Sequence, residues 1–326
     1  MAKTLEFPVL LRLIDERSVA FRAAVASAAR LDVRVPTCPE WTLFDLVHHL
    51  GGVHRRWAAV VAAGPAAARP AGTAPEAAPA APREREALPA WSAESTAQLL
   101  SALREAGPDR GCRTWWGASE SPQTAGAVAR HQVQEAAVHA YDAQITAGAP
   151  QPLPDEVALD GVDEFLSTCC ATTSAWPHEA AAVDYHAAEG RSWRLSLAAD
   201  GARITCLPSP VTLSGEGTEA AAAAARGTAG ELVLTLYGRI PVDSLELDGD
   251  RRVFELLQAW EPEDQEAPID GRAPPRAARK CPRQPRRPAR PGSTHRRRRL
   301  VGGQARRARR SHQALMAGMD ERQQQG

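Results

Sequence analysis

Apolar residues recur at helical spacing through the first half of the chain. Leu10, Leu11, Leu13, Ile14, Phe21 and Val25 predict a long helix over residues 7–31. The run Pro36-Thr37-Cys38-Pro39-Glu40-Trp41 breaks it, and Thr42 with Asp45 three residues later reads as a new helix start. A second helix to about residue 63 carries the stripe Leu46, His49, Leu50, Val53 and Trp57, all on one side. Residues 64–89 are Ala- and Pro-rich and aperiodic, which predicts a long mobile loop. Further helices are expected over 92–106, 124–146 and 155–170. Four long helices joined by connections describe a bundle, so the first part of the chain is expected to be mainly α.

The pattern changes after Ser174. Alternating runs over 182–186, 193–197 and 203–207 predict strands, with a turn at Asp200-Gly201, and 211–213 is a candidate further strand. A helix over 220–236, a short strand over 244–247 and a closing helix over 251–260 complete a second, α+β unit. The expected organisation is therefore a helical unit 1–150, an α+β unit 151–266 that includes the linking helix, and a tail 267–326.

A chain of 326 residues favours more than one domain at roughly 100–200 residues each. Its 44% hydrophobic content is enough for real cores. Charge alters the picture more. Of 39 Lys or Arg and 39 Asp or Glu, residues 271–326 hold 17 and 2, leaving 22 and 37 for the rest. An acidic body thus carries a basic tail, and the tail's Pro, Arg, Gly and Gln cannot bury enough surface to offset ordering, so disorder is expected. Nonspecific, salt-sensitive attraction to nucleic acid is the contact such a tail would offer, and the absence of aromatic residues among its arginines argues against a stacking platform. No stretch reaches the roughly 18–20 apolar residues of a membrane span, and the start lacks a signal peptide's apolar block, so no membrane contact and a cytoplasmic location are expected. The six cysteines include no Cys-x-x-Cys pair and are expected to be reduced. Cys169 and Cys170 read as packing residues rather than nucleophiles.

The candidate chemistry lies on two separated segments. Glu135 and His139 are one helical turn apart on the same face, where both can reach one ion. His49 would add a third ligand from a facing helix. Two His and one carboxylate suit zinc with an open coordination position, and also ferrous iron, nickel or manganese. Asp142, three residues beyond His139, is placed to hold the imidazole's other nitrogen. His131 reads as an extra ligand, a substrate-facing group or an exposed residue, and His48 and His54 compete with His49. The spacing alone is weak: Glu-x-x-x-His pairs occur by chance on many helices, and a lone His on an apolar face is often a satisfied core residue.

At these residues the chain becomes recognisable. Val35-Pro36-Thr37-Cys38-Pro39-Glu40-Trp41-Thr42, then Asp45-Leu46-Val47-His48-His49-Leu50-Gly51, resembles the opening of the mycothiol-dependent maleylpyruvate isomerase family. So do Glu135-Ala136-Ala137-Val138-His139-Ala140-Tyr141-Asp142-Ala143 and the segments 227–232, 237–242 and 248–250, in order over about residues 5–262. The resemblance implies a DinB-like four-helix bundle with a divalent metal, usually Zn2+ in the family, followed by a small sterol-carrier-like α+β domain. It assigns the metal to His49, Glu135 and His139. It also makes Arg239 a candidate partner for a substrate carboxylate, beside the alternative of a structural bridge to Asp243 or Asp248. Gln134 stands where the family often has His, and Tyr141 where it has Trp.

The implied activity uses mycothiol as thiol cosubstrate. A free thiol, with pKa about 8.5, is mostly protonated at neutral pH, and a dication deprotonates it. Addition to the cis double bond of maleylpyruvate leaves a rotatable single bond, and elimination returns the thiol with the trans product, fumarylpyruvate. Relatives that keep the adduct act as mycothiol S-transferases on other small electrophiles. A noncatalytic metal-binding regulatory protein, using its basic tail for partner or nucleic-acid contact, is the alternative. Trp41 and Trp57 are expected in the core, and Asp248-Gly249-Asp250 as a turn rather than a calcium loop.

Overall fold

A computed structural model describes residues 4–65, 81–208 and 220–260. The first part is helical: α1 (Phe7–Ser27), α2 (Leu43–Ala63), α3 (Leu88–Ala106) and α4 (Ala125–Thr146). Two short strands, β1 (Arg34–Val35) and β2 (Cys38–Thr42), pair antiparallel between α1 and α2. The expected start of α2 is present. Thr42 Oγ1 accepts from the Asp45 amide at 3.2 Å, and Asp45 Oδ2 accepts from the Thr42 amide at 2.8 Å. This reciprocal cap fixes the angle at which β2 delivers Trp41 to the first turns of α2.

Helix α4 is the central element. It packs against α1, α2, α3 and α5 (Asp155–Phe165), and every residue from 131 to 140 is buried. Ionisable side chains on such a helix must find partners inside the protein. Arg130 does so with Asp160 and Asp163 of α5, at 2.9 and 2.7 Å, bolting the two helices together. Gly161 makes the approach possible, because a Cβ there would lie 2.4 Å from Gln134 Oε1.

The second part is a five-stranded sheet in the order β5 (Gly201–Leu207), β4 (Ser192–Ala198), β3 (Ala181–Ala187), β6 (Ala223–Gly227), β7 (Glu246–Gly249). Among the described strands only the β3–β6 pair is parallel. Helices α6 (Ala229–Leu236) and α7 (Arg251–Ala259) complete this part, and α5 packs on α6. One apolar cluster runs from Leu13, Val128 and Val157 into Val183, Trp193 and Val233 of the sheet-containing part. A second, with Phe21, Leu43, Leu46, Leu50 and Ala143, fills the other end of the bundle. The mainly α body with a following α+β part is as expected.

Several boundaries differ from expectation. The first helix ends at Ser27, short of residue 31, whose carbonyl instead accepts from the Phe44 amide at 2.9 Å. The third begins earlier, at Leu88, because Pro89 is well suited to a first turn. The fifth ends at Phe165 and passes into a π-helical turn, Leu166–Cys170. Residues 220–236 are not one helix. Ala223 and Ala225 point into the sheet core as part of β6, and α6 starts only after Thr228, which forms a second reciprocal cap with Glu231. The late strand is shifted to Glu246–Gly249. The candidate strand 211–213, most of the loop 64–89 and the tail 267–326 lie outside the described residues. No described helix is long and apolar enough to cross a membrane.

Candidate metal centre

The two segments singled out in the sequence meet. Glu135 Oε2 lies 3.2 Å from His139 Nε2 and 3.9 Å from His49 Nε2. One donor atom from each of His49, Glu135 and His139 falls within 4.8 Å of the others, the separation that one shared cation requires. The side chains are 8%, 3% and 4% exposed for His49, Glu135 and His139. Among the described residues, Glu135 Oε2 has no well-aligned hydrogen-bond donor, its polar neighbours being the two imidazole nitrogens. A buried carboxylate oxygen without a donor is costly, and a cation set between it and two imidazole nitrogens would remove that cost. Burial alone would raise the Glu135 carboxyl, but the facing His139 and His49 hold it well below the usual carboxylate range. This donor set, two imidazole nitrogens and a carboxylate oxygen around one point, fits a divalent ion.

His49 is selected over its neighbours by helix geometry. His48 is exposed and stacks on Trp91, with 6.3 Å between ring centroids. His54 faces Thr96 Oγ1 at 3.3 Å, and burial pushes it down to about 3. The His49 and His139 rings meet edge to face at 5.0 Å. Trp41, expected in the core, is partly buried against the second apolar cluster and also lies beside the site, 4.6 Å from the His49 ring and 6.2 Å from the His139 ring. Trp57 is core, packed on Trp116.

Asp142 lies beside His139 on the same helix face. Its Oδ2 lies 2.9 Å from His139 Nδ1, so His139 directs Nε2 at Glu135. The same carboxylate accepts from Thr37 Oγ1 at 2.6 Å, and from Arg239 through Nη2 at 2.8 Å and Nε at 3.1 Å. Burial would raise the Asp142 carboxyl, but the Arg239 charge and the His139 and Arg239 hydrogen bonds hold it far below the ordinary range. Arg239 is buried, and its remaining nitrogen, Nη1, donates to the Tyr237 carbonyl at 2.7 Å. Its acidic partner is thus Asp142, not Asp243 or Asp248, and Asp243 pairs with Arg251 instead.

His131 is not a fourth member of the triad among the described residues. Its Nδ1 lies 2.9 Å from Glu164 Oε1, and its Nε2 lies 3.8 Å from Glu135 Oε1, the other oxygen from the one that faces His49 and His139. Trp115 and Trp116 flank the ring at 5.7 and 5.4 Å. The Tyr237 hydroxyl donates to Glu164 Oε2 at 3.4 Å. Glu164 carried no signal in the sequence, since a lone acid on an amphipathic helix ordinarily faces water. Thr37 sat in plain view inside the Pro-Thr-Cys-Pro run.

Gln134 points away from the triad and donates to the Val157 carbonyl at 3.2 Å. The turn expected at Asp248-Gly249-Asp250 is not formed as such: Asp248 and Gly249 are the last residues of β7, paired with β6, and Asp250 caps α7 by accepting from the Arg252 amide at 2.9 Å. Burial pushes the Cys38 thiol up to about 11 and that of Cys170 up to about 12, and it also raises Cys169. All three are protonated thiols at neutral pH, poor nucleophiles.

Comparison with known proteins agrees with this architecture. Residues 11–144 match the model of the mycothiol maleylpyruvate isomerase N-terminal domain, and residues 156–256 match that of the MDMPI C-terminal domain. A solved mutant structure of the mycothiol-dependent maleylpyruvate isomerase is similar at 16% identity and a TM-score of 0.47, over 76% of this chain and 95% of that one. No curated protein matches the chain. With both family models matched in order over most of its length, the chain belongs to the mycothiol maleylpyruvate isomerase family.

Proposed function

We propose that the chain is a metal- and mycothiol-dependent enzyme. It either isomerises a maleylpyruvate-like cis double bond by thiol addition and elimination or transfers mycothiol to a small electrophile. The observation that carries this reading is the convergence of Glu135 Oε2, His139 Nε2 and His49 Nε2 on one point inside the bundle. His49, Glu135 and His139 hold the ion, which we take to be Zn2+. A dication held there supplies the pull that converts a thiol to its thiolate near neutral pH.

The chain's own residues do the rest. Asp142 engages Nδ1 of His139 and leaves Nε2 for the ion. Trp41 offers a partly buried aromatic wall beside His49. The raised thiols of buried Cys38 and partly buried Cys169 and Cys170 support an externally supplied sulfur nucleophile. Arg239, read in the sequence as a substrate-carboxylate partner, acts in this proposal through Asp142. We assign the ion site to the helical unit 1–150, Arg239 to the α+β unit 151–266, and no part of the chemistry to 267–326.

The test is metal content of the purified full chain together with turnover of maleylpyruvate, with and without mycothiol. The expected result is one divalent ion per chain, lost in Glu135→Ala and His139→Ala, and conversion to fumarylpyruvate or a stable thiol adduct only when mycothiol is present. A chain that takes up no divalent ion, or whose activity is indifferent to mycothiol, overturns the proposal.

A further inference from the structure

Helix α6 ends in a tightly determined turn. Gly238 has φ of 68°, its amide donates to the Thr235 carbonyl at 2.9 Å, and the Arg239 amide donates to the Leu234 carbonyl at 2.7 Å. This pair of bonds around a left-handed glycine is a Schellman termination. It fixes the backbone on which Tyr237 and Arg239 stand, and the two side chains reach α4 by separate routes. Arg239 grips Asp142 through Nε and Nη2, and Asp142 holds His139. Tyr237 donates to Glu164, Glu164 holds His131, and His131 faces Glu135 Oε1. One three-residue turn thus stands behind both the imidazole and the carboxylate that α4 contributes to the triad.

We infer that the Tyr237–Gly238–Arg239 turn positions the α4 ligands, setting the affinity and geometry of the cation site without touching it. This rests on reading His49, Glu135 and His139 as that site. The physical argument is rotational. A Glu carboxylate can swing either oxygen, or both, toward an ion. With the His131 ring against Oε1, itself fixed by Glu164 and walled by Trp115 and Trp116, Oε2 alone is presented to His49 and His139. On the other arm, Asp142 without Arg239 would be a buried carboxylate free to turn from His139 toward Thr37.

The experiment uses Co2+ as probe on the metal-free full chain. Its affinity is read by chelator competition, its coordination by visible absorption, and folding by thermal melting without metal. Tyr237→Phe, Glu164→Gln and Arg239→Met should each weaken Co2+ binding by about 10- to 100-fold, the usual effect of losing a ligand's outer support, and alter the visible bands. Arg239→Lys, which restores the charge but not the fork, should recover part of the loss. A purely structural role would lower the melting temperature while leaving the bands of the folded protein unchanged. Should Arg239→Met fail to fold, Tyr237→Phe, which removes a single oxygen, decides the matter.

If these variants match the unaltered chain in affinity and spectrum while Glu135→Ala abolishes binding, the positioning role is wrong and the cation site stands. If the unaltered chain binds no Co2+, both readings fall.

Discussion

Asp142 accepts from three residues brought together from distant parts of the chain: Thr37, His139 and Arg239. Replacing it with Asn leaves the buried Arg239 guanidinium without its counter-charge. The expected cost is about 3–5 kcal/mol, read by urea unfolding of the metal-free protein. The sign with pH follows from the depressed carboxyl. Because its folded value lies below the unfolded one, its stabilisation is complete above about pH 4–5 and is lost as pH falls toward the folded value. Asp142→Asn should lack that component of the acid profile. The Glu135, His139 and Asp142 part of the site was legible because it is local, one turn or less along a single helix. The Arg239 partner was not, since 97 residues separate it from Asp142 and several acids lay nearer in the chain. Glu164 was hidden for the same reason, 33 residues from His131.

Among the elements, the helices were readable because their apolar stripes face a bundle interior, and α2 even announced its cap. Strand β6 was not. Its alanines favour helix by propensity, but pairing with β3 and β7 on both sides outweighs that preference. Small residues are needed there, because Ala223 and Ala225 are fully enclosed. Helix pairs depend on small residues as well. Gly51, in the His-Leu-Gly segment, lies where α2 meets α3, and a Cβ there would fall 2.1 Å from the Trp91 ring. Gly51→Ala is expected to cost about 1–3 kcal/mol by forcing the indole or the helices to shift, a loss visible in the melting temperature. The sequence motif around His49 thus combines one residue for chemistry with one for close packing.

The whole molecule joins bundle and sheet through a shared apolar cluster and through the Arg130 and Arg239 ion pairs. The second part is therefore more than an appendage to the triad. The tail 267–326 is a different case, since its composition offers no core. Deleting 268–326 should leave metal content, melting temperature and activity unchanged, and a fall in any of them, measured on the truncated chain, would give the tail a structural role. The order of helical part and α+β part was legible from the change of periodicity near Ser174. How the two parts share a site was not, because nothing in periodicity says which turn of one faces which helix of the other.

The ionisable belt of α4 lies where one apolar cluster gives way to the other, with Leu46, Leu50 and Ala143 on one side and Val53, Trp57 and Val128 on the other. Greasy helix faces alone tolerate sliding, since one leucine can stand in for another a turn away. A slip of α2 along α4 by one turn would carry His49 away from Glu135 and oppose the carboxylate with hydrocarbon. The belt therefore acts as an alignment pin: before any chemistry, it makes one helix register far cheaper than its neighbours.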